Sequence, residues 1–315
     1  MGDSQTPPMT RSLVLGGCGF LGSHVVDALL VAGHEVRVLD LRPVPEGLAT
    51  AWQEVDFFEG DMLNAERVRE TVRGCAYAFQ FATTTIPRTS IVDPELDNLN
   101  LIAALRLIRA CVSEKVEKIV FPSSGGTVYG RPERLPIPED APLRPRSPYA
   151  GTKIAIEHHL GVAYLQHGLD YSVLRYGNPY GPRQSPAGNM GIVAVFLGLL
   201  RRGEQPTLYG DGSATKDFFF VDDAASAALA VLPSSEEKVF NVASGEGTTV
   251  RELLALMGKT IGREVEPRRA PPLPGDEPAC VLDIRRIQRT YGWRPRVKLE
   301  EGLRRTWRWI SSLPG

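Results

Sequence analysis

Apolar and polar positions along this chain change period again and again. Residues 12–16, Ser-Leu-Val-Leu-Gly, form a short apolar run closed by glycine, and beyond it Val25, Val26, Leu29 and Leu30 fall on one helix face. The segment Glu35–Asp40 alternates and ends on an acid, so the first forty residues read as strand, glycine turn, helix and strand. Further strands are predicted at 55–58, 76–82, 118–122 and 171–175, with helices around 64–73, 95–113 and 149–167. Alternation of this kind predicts an α/β fold, a doubly wound parallel sheet of Rossmann type with helices on both faces. After Tyr176 the character changes. Asn178-Pro-Tyr-Gly-Pro-Arg183 is rich in turn residues, a helix is predicted over 191–202, and Gly-Asp-Gly at 210–212 precedes a strand at 217–221. A helix over 223–232 and a strand at 239–242 are placed to rejoin the main sheet. Two amphipathic helices, 249–261 and 299–311, flank a Pro-rich connection at 267–278.

Composition narrows the function classes. The 315 residues carry 36 Lys+Arg against 37 Asp+Glu, a net charge of −1, so neither a nucleic-acid binder nor an acidic-polymer binder is expected. Hydrophobic residues are 43% of the chain, enough for a sizeable core, yet no apolar run nears the ~20 residues of a membrane helix. Cys18, Cys75, Cys111 and Cys280 stand far apart without a C-x-x-C pair, which argues against a zinc site or a disulfide framework and for a cytoplasmic protein without a metal. The first ten residues lack the layout of a secretory signal.

Two constellations carry chemistry. Gly16, Gly19 and Gly22 lie between strand and helix, where a backbone free of Cβ atoms can approach a pyrophosphate at a helix N-terminus. Asp40, at the end of the next strand, is placed to accept hydrogen bonds from a ribose and to repel a 2′-phosphate, which favours NAD over NADP; Arg42 softens that preference. The plainer reading is a close strand–helix contact and a solvated acid. The second constellation is Tyr149 and Lys153, one turn apart on a helix face. A nearby ammonium favours the phenolate and makes proton abstraction feasible. A hydroxyl partner is expected from the loop 121–130, which holds Ser123, Ser124 and Thr127.

With these pieces in order the chain resembles the extended short-chain dehydrogenase/reductases, in particular the NAD-dependent nucleotide-sugar epimerases and dehydratases of the UDP-glucose 4-epimerase type. The likeness continues through Gly60-Asp61-Met62, Gln80-Phe81-Ala82, Asp93-Pro94 to Asn100, Ser124-Gly-Gly-Thr127-Val-Tyr-Gly130, Arg175-Tyr-Gly-Asn178, Gly210-Asp-Gly212, Asp217 to Asp223, and Tyr291-Gly-Trp293. It implies a Rossmann domain of residues 1–177 together with about 216–247, and a smaller C-terminal substrate-binding domain of 178–215 and 248–315. It implies NAD held by Gly16, Gly19, Phe20, Leu21, Gly22, Asp40, Asp61, Met62, Phe81, Ala82, Lys153 and Tyr176. Tyr149 would be the catalytic acid/base, with Lys153 holding the nicotinamide ribose and lowering the Tyr pKa. Ser124 would hydrogen-bond the reacting hydroxyl, with Ser123 and Thr127 left open by the extra glycine in this loop. Substrate contacts are implied for Thr85, Ser124, Tyr149, Asn178, Asn189, Tyr209 and Lys216.

Departures from the family pattern bear on the substrate. Lys216 and Leu273 stand where arginines are usual, and Arg183, Lys216, Arg268 or Arg269 are candidates to replace the lost phosphate contacts. The implied activity is C4 epimerisation of a UDP-hexose or UDP-uronate. A 4,6-dehydratase usually places Asp-Glu where Gly125 and Gly126 stand here. The same residues would also suit a 4-ketoreductase or a non-catalytic NAD-binding Rossmann protein. The helices at 96–112 and at Tyr149 imply a homodimer. His158-His159, Arg304-Arg305 and Trp307-Arg-Trp309 read as solvated or packed positions, and Cys18 as a thiol whose thiolate the nearby helix N-terminus would stabilise.

Overall fold

In the computed structural model, which describes residues 10–188, 190–272 and 279–314, the first half of the chain winds strands and helices in turn. It runs β1 (Arg11–Leu15), α1 (Phe20–Val31), β2 (Glu35–Asp40), β3 (Asp56–Glu59), α2 (Ala65–Val72), β4 (Tyr77–Gln80), α3 (Pro87–Val92), α4 (Glu95–Ser113), β5 (Lys118–Ser124), α5 (Pro148–His167) and β6 (Asp170–Tyr176). The rest runs β7 (Asn178–Tyr180), α6 (Ile192–Arg201), β8 (Thr207–Tyr209), β9 (Thr215–Lys216), β10 (Phe218–Phe220), α7 (Val221–Ala230), β11 (Val239–Val242), β12 (Thr248–Thr249), α8 (Val250–Ile261), β13 (Arg268–Ala270), α9 (Arg285–Tyr291) and α10 (Leu299–Ser312).

Seven strands form one parallel sheet in the order β11-β6-β5-β4-β1-β2-β3. The chain goes outward one way from β1 and the other way from β4, so a crevice opens at the C-terminal ends of these two neighbours, where doubly wound sheets bind ligands. Local sequence explains the elements that frame it. Ser12 to Leu15 are fully buried on both faces, as a central parallel strand requires. Asn64 caps α2 by accepting from Glu66 N and Arg67 N. Ser147 caps α5 through Ala150 N with Pro148 in the first turn, and Gly168, at φ 69°, ends that helix in the left-handed region.

Three apolar cores result. One lies between the sheet and α1, α7 and α9, with Val25, Val26, Leu29, Ala228, Phe240 and Ile287; another lies on the opposite face under α2, α4 and α5, with Val72, Leu107, Ile156 and Leu160. The third is outside the sheet, where Leu197 of α6, Leu253 and Met257 of α8 and Leu303 and Ile310 of α10 meet. Each of the larger of these side chains, Val, Leu, Ile, Met or Phe, contributes roughly 1.5–3 kcal/mol on burial. β10 joins two cores: Phe219 enters the first, while Phe218 and Phe220 enter the third.

The structure differs from the sequence reading in the second half. The strand expected at 217–221 is the shorter β10, which pairs with β7 outside the main sheet, and α7 already begins at Val221. β11, by contrast, rejoins the main sheet as expected and takes its edge beside β6. The Pro-rich connection contains β13, which pairs in parallel with β8. No described helix is long and apolar enough to cross a membrane.

Candidate active site

The floor of the crevice is built from backbone. Gly16, at φ 74°, carries the chain from β1 into the turn, and a Cβ there would meet Ala82 N at 2.5 Å. A Cβ on Gly22 would meet Gly16 O at 2.2 Å. Gly19 caps α1 without a side-chain hydrogen bond, and no acid sits in the first turn, so the leading N–H groups and the positive end of the helix dipole at Phe20, Leu21 and Gly22 are directed at the crevice. At the end of β2, Asp40 is 7% exposed; its Oδ2 accepts from Cys18 N at 2.9 Å and its Oδ1 from Arg42 N at 3.0 Å. Arg42 Nε lies 3.5 Å from the same Oδ1. Asp61 Oδ1 accepts from Leu63 N at 2.8 Å beside buried Met62. A glycine cradle, a free helix start and a fixed acid fit an adenine dinucleotide. Burial and Asp40 push the Cys18 thiol up to about 12, which overturns the expectation of a stabilised thiolate.

The opposite wall is built from side chains. A cavity of about 550 Å³ is lined by Phe20, Leu21 and Phe81 toward the glycine turn, and by Ser124, Thr127, Tyr149 and Lys153 on the other side. Tyr149 and Lys153 share this wall and are half-buried. Lys153 Nζ donates to Pro122 O at 2.8 Å and stands 5.5 Å from the centre of the Tyr149 ring. The start of α5 is pinned from outside: Tyr149 N donates to Ser90 Oγ at 2.7 Å, so α3, which sequence reading missed, positions the candidate catalytic helix. The expected lowering of the Tyr149 pKa is not what this geometry produces. Desolvation, with the negative charge of Asp97 in addition, pushes Tyr149 up to about 12, and desolvation pulls Lys153 down to about 8 against the opposing fields of Glu157 and Asp97.

The loop after β5 separates the three hydroxyl candidates. Ser123 also lines the cavity, but its Oγ proton is committed to the buried carboxylate of Glu157. Glu157 in turn is paired with Arg175, whose Nη2 is 2.6 Å from its Oε2 and whose Nη1 donates to Tyr129 Oη at 3.0 Å. Thr127 Oγ1, Asn178 Nδ2 and Gln184 Oε1 are buried without a hydrogen-bond partner among the described residues, and all three residues line the cavity. Such orphans are rare in native interiors, and three around one cavity mark it as a ligand site.

Other expected residues fall less simply. Ala82 packs against Gly16, and Tyr176 lines the cavity with its ring while its hydroxyl donates to Ala224 O at 3.0 Å. Thr85 reaches the cavity, yet its hydroxyl is committed to Asp97 at 2.6 Å. Lys216 lines the cavity; Tyr209 is 46% exposed and is not among the lining residues. Asn189 and Leu273 lie outside the described residues. Of the proposed phosphate cations, Arg183 is drawn to Asp27 at 2.5 Å, and Arg268 and Arg269 on β13 stand away from the lining. Sequence reading missed Gln184, Met190 and Arg146, which line the cavity from loops with no periodicity to announce them. Gly125 has no room for an acid, since its Cβ would meet Leu282 at 2.5 Å.

Comparison with known proteins agrees with this geometry. Residues 12–243 match the model of the NAD dependent epimerase/dehydratase family. A UDP-glucose 4-epimerase of Mycolicibacterium smegmatis is 37% identical over 309 residues, 94% of this chain and 97% of its own. The crystal structure of a Thermotoga maritima UDP-glucose 4-epimerase with UDP-glucose superposes with TM-score 0.91 at 35% identity, covering 96% of this chain and 98% of that one. A Thermus thermophilus UDP-glucose 4-epimerase in complex with NAD gives TM-score 0.86 at 39% identity, covering 96% and 99%.

Proposed function

This chain belongs to the NAD dependent epimerase/dehydratase family, and from that premise we propose that it epimerises a nucleotide sugar at C4, with a UDP-hexose as substrate. The observation that carries the reading is the placement of Tyr149, Lys153, Ser124 and Thr127 on one wall of a cavity whose other side is the glycine turn.

NAD, when bound on the turn through Gly16 to Gly22 with its ribose at Asp40, supplies a reversible hydride acceptor for the sugar carbon. The protein moves the proton. Tyr149 takes it from the 4-hydroxyl as the hydroxyl becomes a ketone, and returns it when the ketone is reduced on its other face. Ser124 and Thr127 hold the reacting oxygen, and the Thr127 hydroxyl, orphaned in the protein, gains its partner there. Lys153, held by Pro122 O, carries positive charge beside the phenol and stabilises the phenolate as it forms. Asn178 donates through its unpartnered Nδ2 to the substrate diphosphate, assisted by the cation of Lys216. The cavity leaves the 4-ketosugar room to turn over before the proton returns. Gly125 and Gly126 offer no acid or base for dehydration, so the sequence of steps ends at the epimer.

Two more features bear on compartment and assembly. The four cysteines are buried and form no disulfide, which supports a reducing cytoplasm. Ile102 and Leu105 of α4 and Val162 and Leu165 of α5 are exposed, and a homodimer formed through these helices would cover them. The test of the main reading is Tyr149→Phe assayed by chromatographic separation of UDP-glucose and UDP-galactose. The expected result is a fall in kcat of roughly 10³-fold with KM nearly unchanged. Full activity in that variant would overturn the assignment.

A further inference from the structure

Behind the catalytic wall lies a second, much smaller cavity of about 10 Å³, bounded by Asp97, Asn100, Thr83, Tyr149 and Lys153 among others. Asp97 sits in the first turn of α4 and is 2% exposed. A carboxylate so deeply placed ordinarily has both oxygens satisfied. Here only Oδ1 is held; Oδ2 is buried with no partner among the described residues.

The hydrogen bonds around it have one possible direction. Thr84 N donates to Asn100 Oδ1 at 2.8 Å, which fixes the Asn100 amide; the single Thr84 Oγ1 proton has that oxygen and Leu96 O as alternative acceptors, each at 3.1 Å. Asn100 Nδ2 then donates to Thr85 Oγ1 at 2.9 Å, which leaves the single Thr85 proton for Asp97 Oδ1 at 2.6 Å. Every proton in this relay points toward Asp97, so Asp97 Oδ1 is required as an acceptor. A relay polarised this way concentrates and stabilises negative charge on its terminal group. The remaining lone pairs of that charge belong to Oδ2, which no group among the described residues uses.

We propose that Asp97 is a positioning residue for the epimerase reaction, the internal counter-charge that keeps Lys153 an ammonium and favours the protonated phenol of Tyr149. The proposal rests on the catalytic reading of Tyr149 and Lys153 given above. The charged and titratable groups around it are few. On α5 they are Tyr149, Lys153 and Glu157; Glu157 is already neutralised by Arg175 of β6 and hydrogen-bonded by Ser123 of β5. Asp97 shares the small cavity with both groups; its field adds to that of Glu157 on Lys153 and is the negative field that acts on Tyr149, so it raises the proton affinity of both. The effect on the phenol opposes catalysis at low pH, while the effect on the ammonium extends activity at high pH. Asp97 thus moves the working range of the enzyme upward as a unit.

Asp97→Asn removes the charge at nearly constant volume. The pH profile of kcat/KM in NAD-saturated enzyme is expected to shift, both limbs together, by roughly one unit to lower pH. The tyrosinate ultraviolet absorbance assigned to Tyr149, by difference against Tyr149→Phe, is expected to appear at correspondingly lower pH. A fall in kcat with both limbs and the absorbance titration unmoved would show a merely structural role and overturn the proposal. If Asp97→Asn fails to fold, Thr85→Val serves instead: deprived of its donor, the buried carboxylate holds its charge less well, and the profile is expected to move in the same direction by a smaller amount. An unmoved profile there overturns the proposal equally. Tyr149→Phe that remains active would instead overturn the catalytic reading beneath it.

Discussion

The two sides of the crevice are made of different materials. The glycine floor relies on absent side chains and backbone N–H groups, and its tolerance is set by distances such as the 2.2 Å between a Gly22 Cβ and Gly16 O. The catalytic wall relies on side chains that are themselves held by other side chains, as Ser123 and Arg175 hold Glu157 and as Thr85 holds Asp97. A floor of this kind fails at once when touched. A wall of this kind fails by degrees.

The sharpest test of that contrast is Gly22→Val. Its Cβ cannot fit without moving the turn, so the purified protein is expected to hold no NAD, read by releasing dinucleotide on denaturation. A variant that still copurifies with stoichiometric NAD would break the contrast. Next in size is Glu157→Gln, which leaves the Arg175 guanidinium buried without its anion. The expected loss is about 3–5 kcal/mol in denaturant unfolding, with NAD still bound. A smaller effect distinguishes the hydroxyls: Ser124→Ala and Thr127→Val are each expected to lower kcat roughly ten-fold, while Ser123→Ala acts on stability more than on kcat.

The smallest effect is one of pH. The folded-state pKa of Lys153 is lowered to about 8 from 10.5, so between these values the unfolded chain binds the extra proton. Stability should then rise with pH across that window relative to Lys153→Met, the cost of the buried ammonium being complete below pH 8 and relieved above it. Parallel unfolding curves for the two proteins at about pH 7.5 and about pH 9.5 would count against the depressed value.

The same contrast explains what could be read from sequence. The floor is local: three glycines, a strand before them, a helix after them and an acid at the end of the next strand lie within residues 12–40. Tyr149 and Lys153 were also readable, since one helical turn joins them. Their environment was not. Ser90 and Asp97, the latter held by Thr85, come to α5 from segments fifty or more residues earlier, and no period marks them, so the field on Tyr149 is not legible from its neighbour Lys153 alone. Short strands fared worst. β7, β8, β9, β12 and β13 have two or three residues each and no room for an alternating pattern. β13 lies next to prolines that argued for an irregular link, and α3, six residues long, is too short to show a face. Among the phosphate candidates, charge was legible but direction was not: Arg183 and Lys216 are both cations, and only Lys216 lines the cavity.

β10 carries a consequence for how such a chain is able to change over generations. Its three phenylalanines go alternately to two cores, Phe219 to one and Phe218 and Phe220 to the other. Side chains in a strand exchange faces with every residue added or removed. A one-residue insertion or deletion here would send each ring into the wrong core and rotate Lys216 and Asp217 along with them. The count of residues from Lys216 to Val221 is therefore tied to two cores at once, and neither core alone could absorb a change in it.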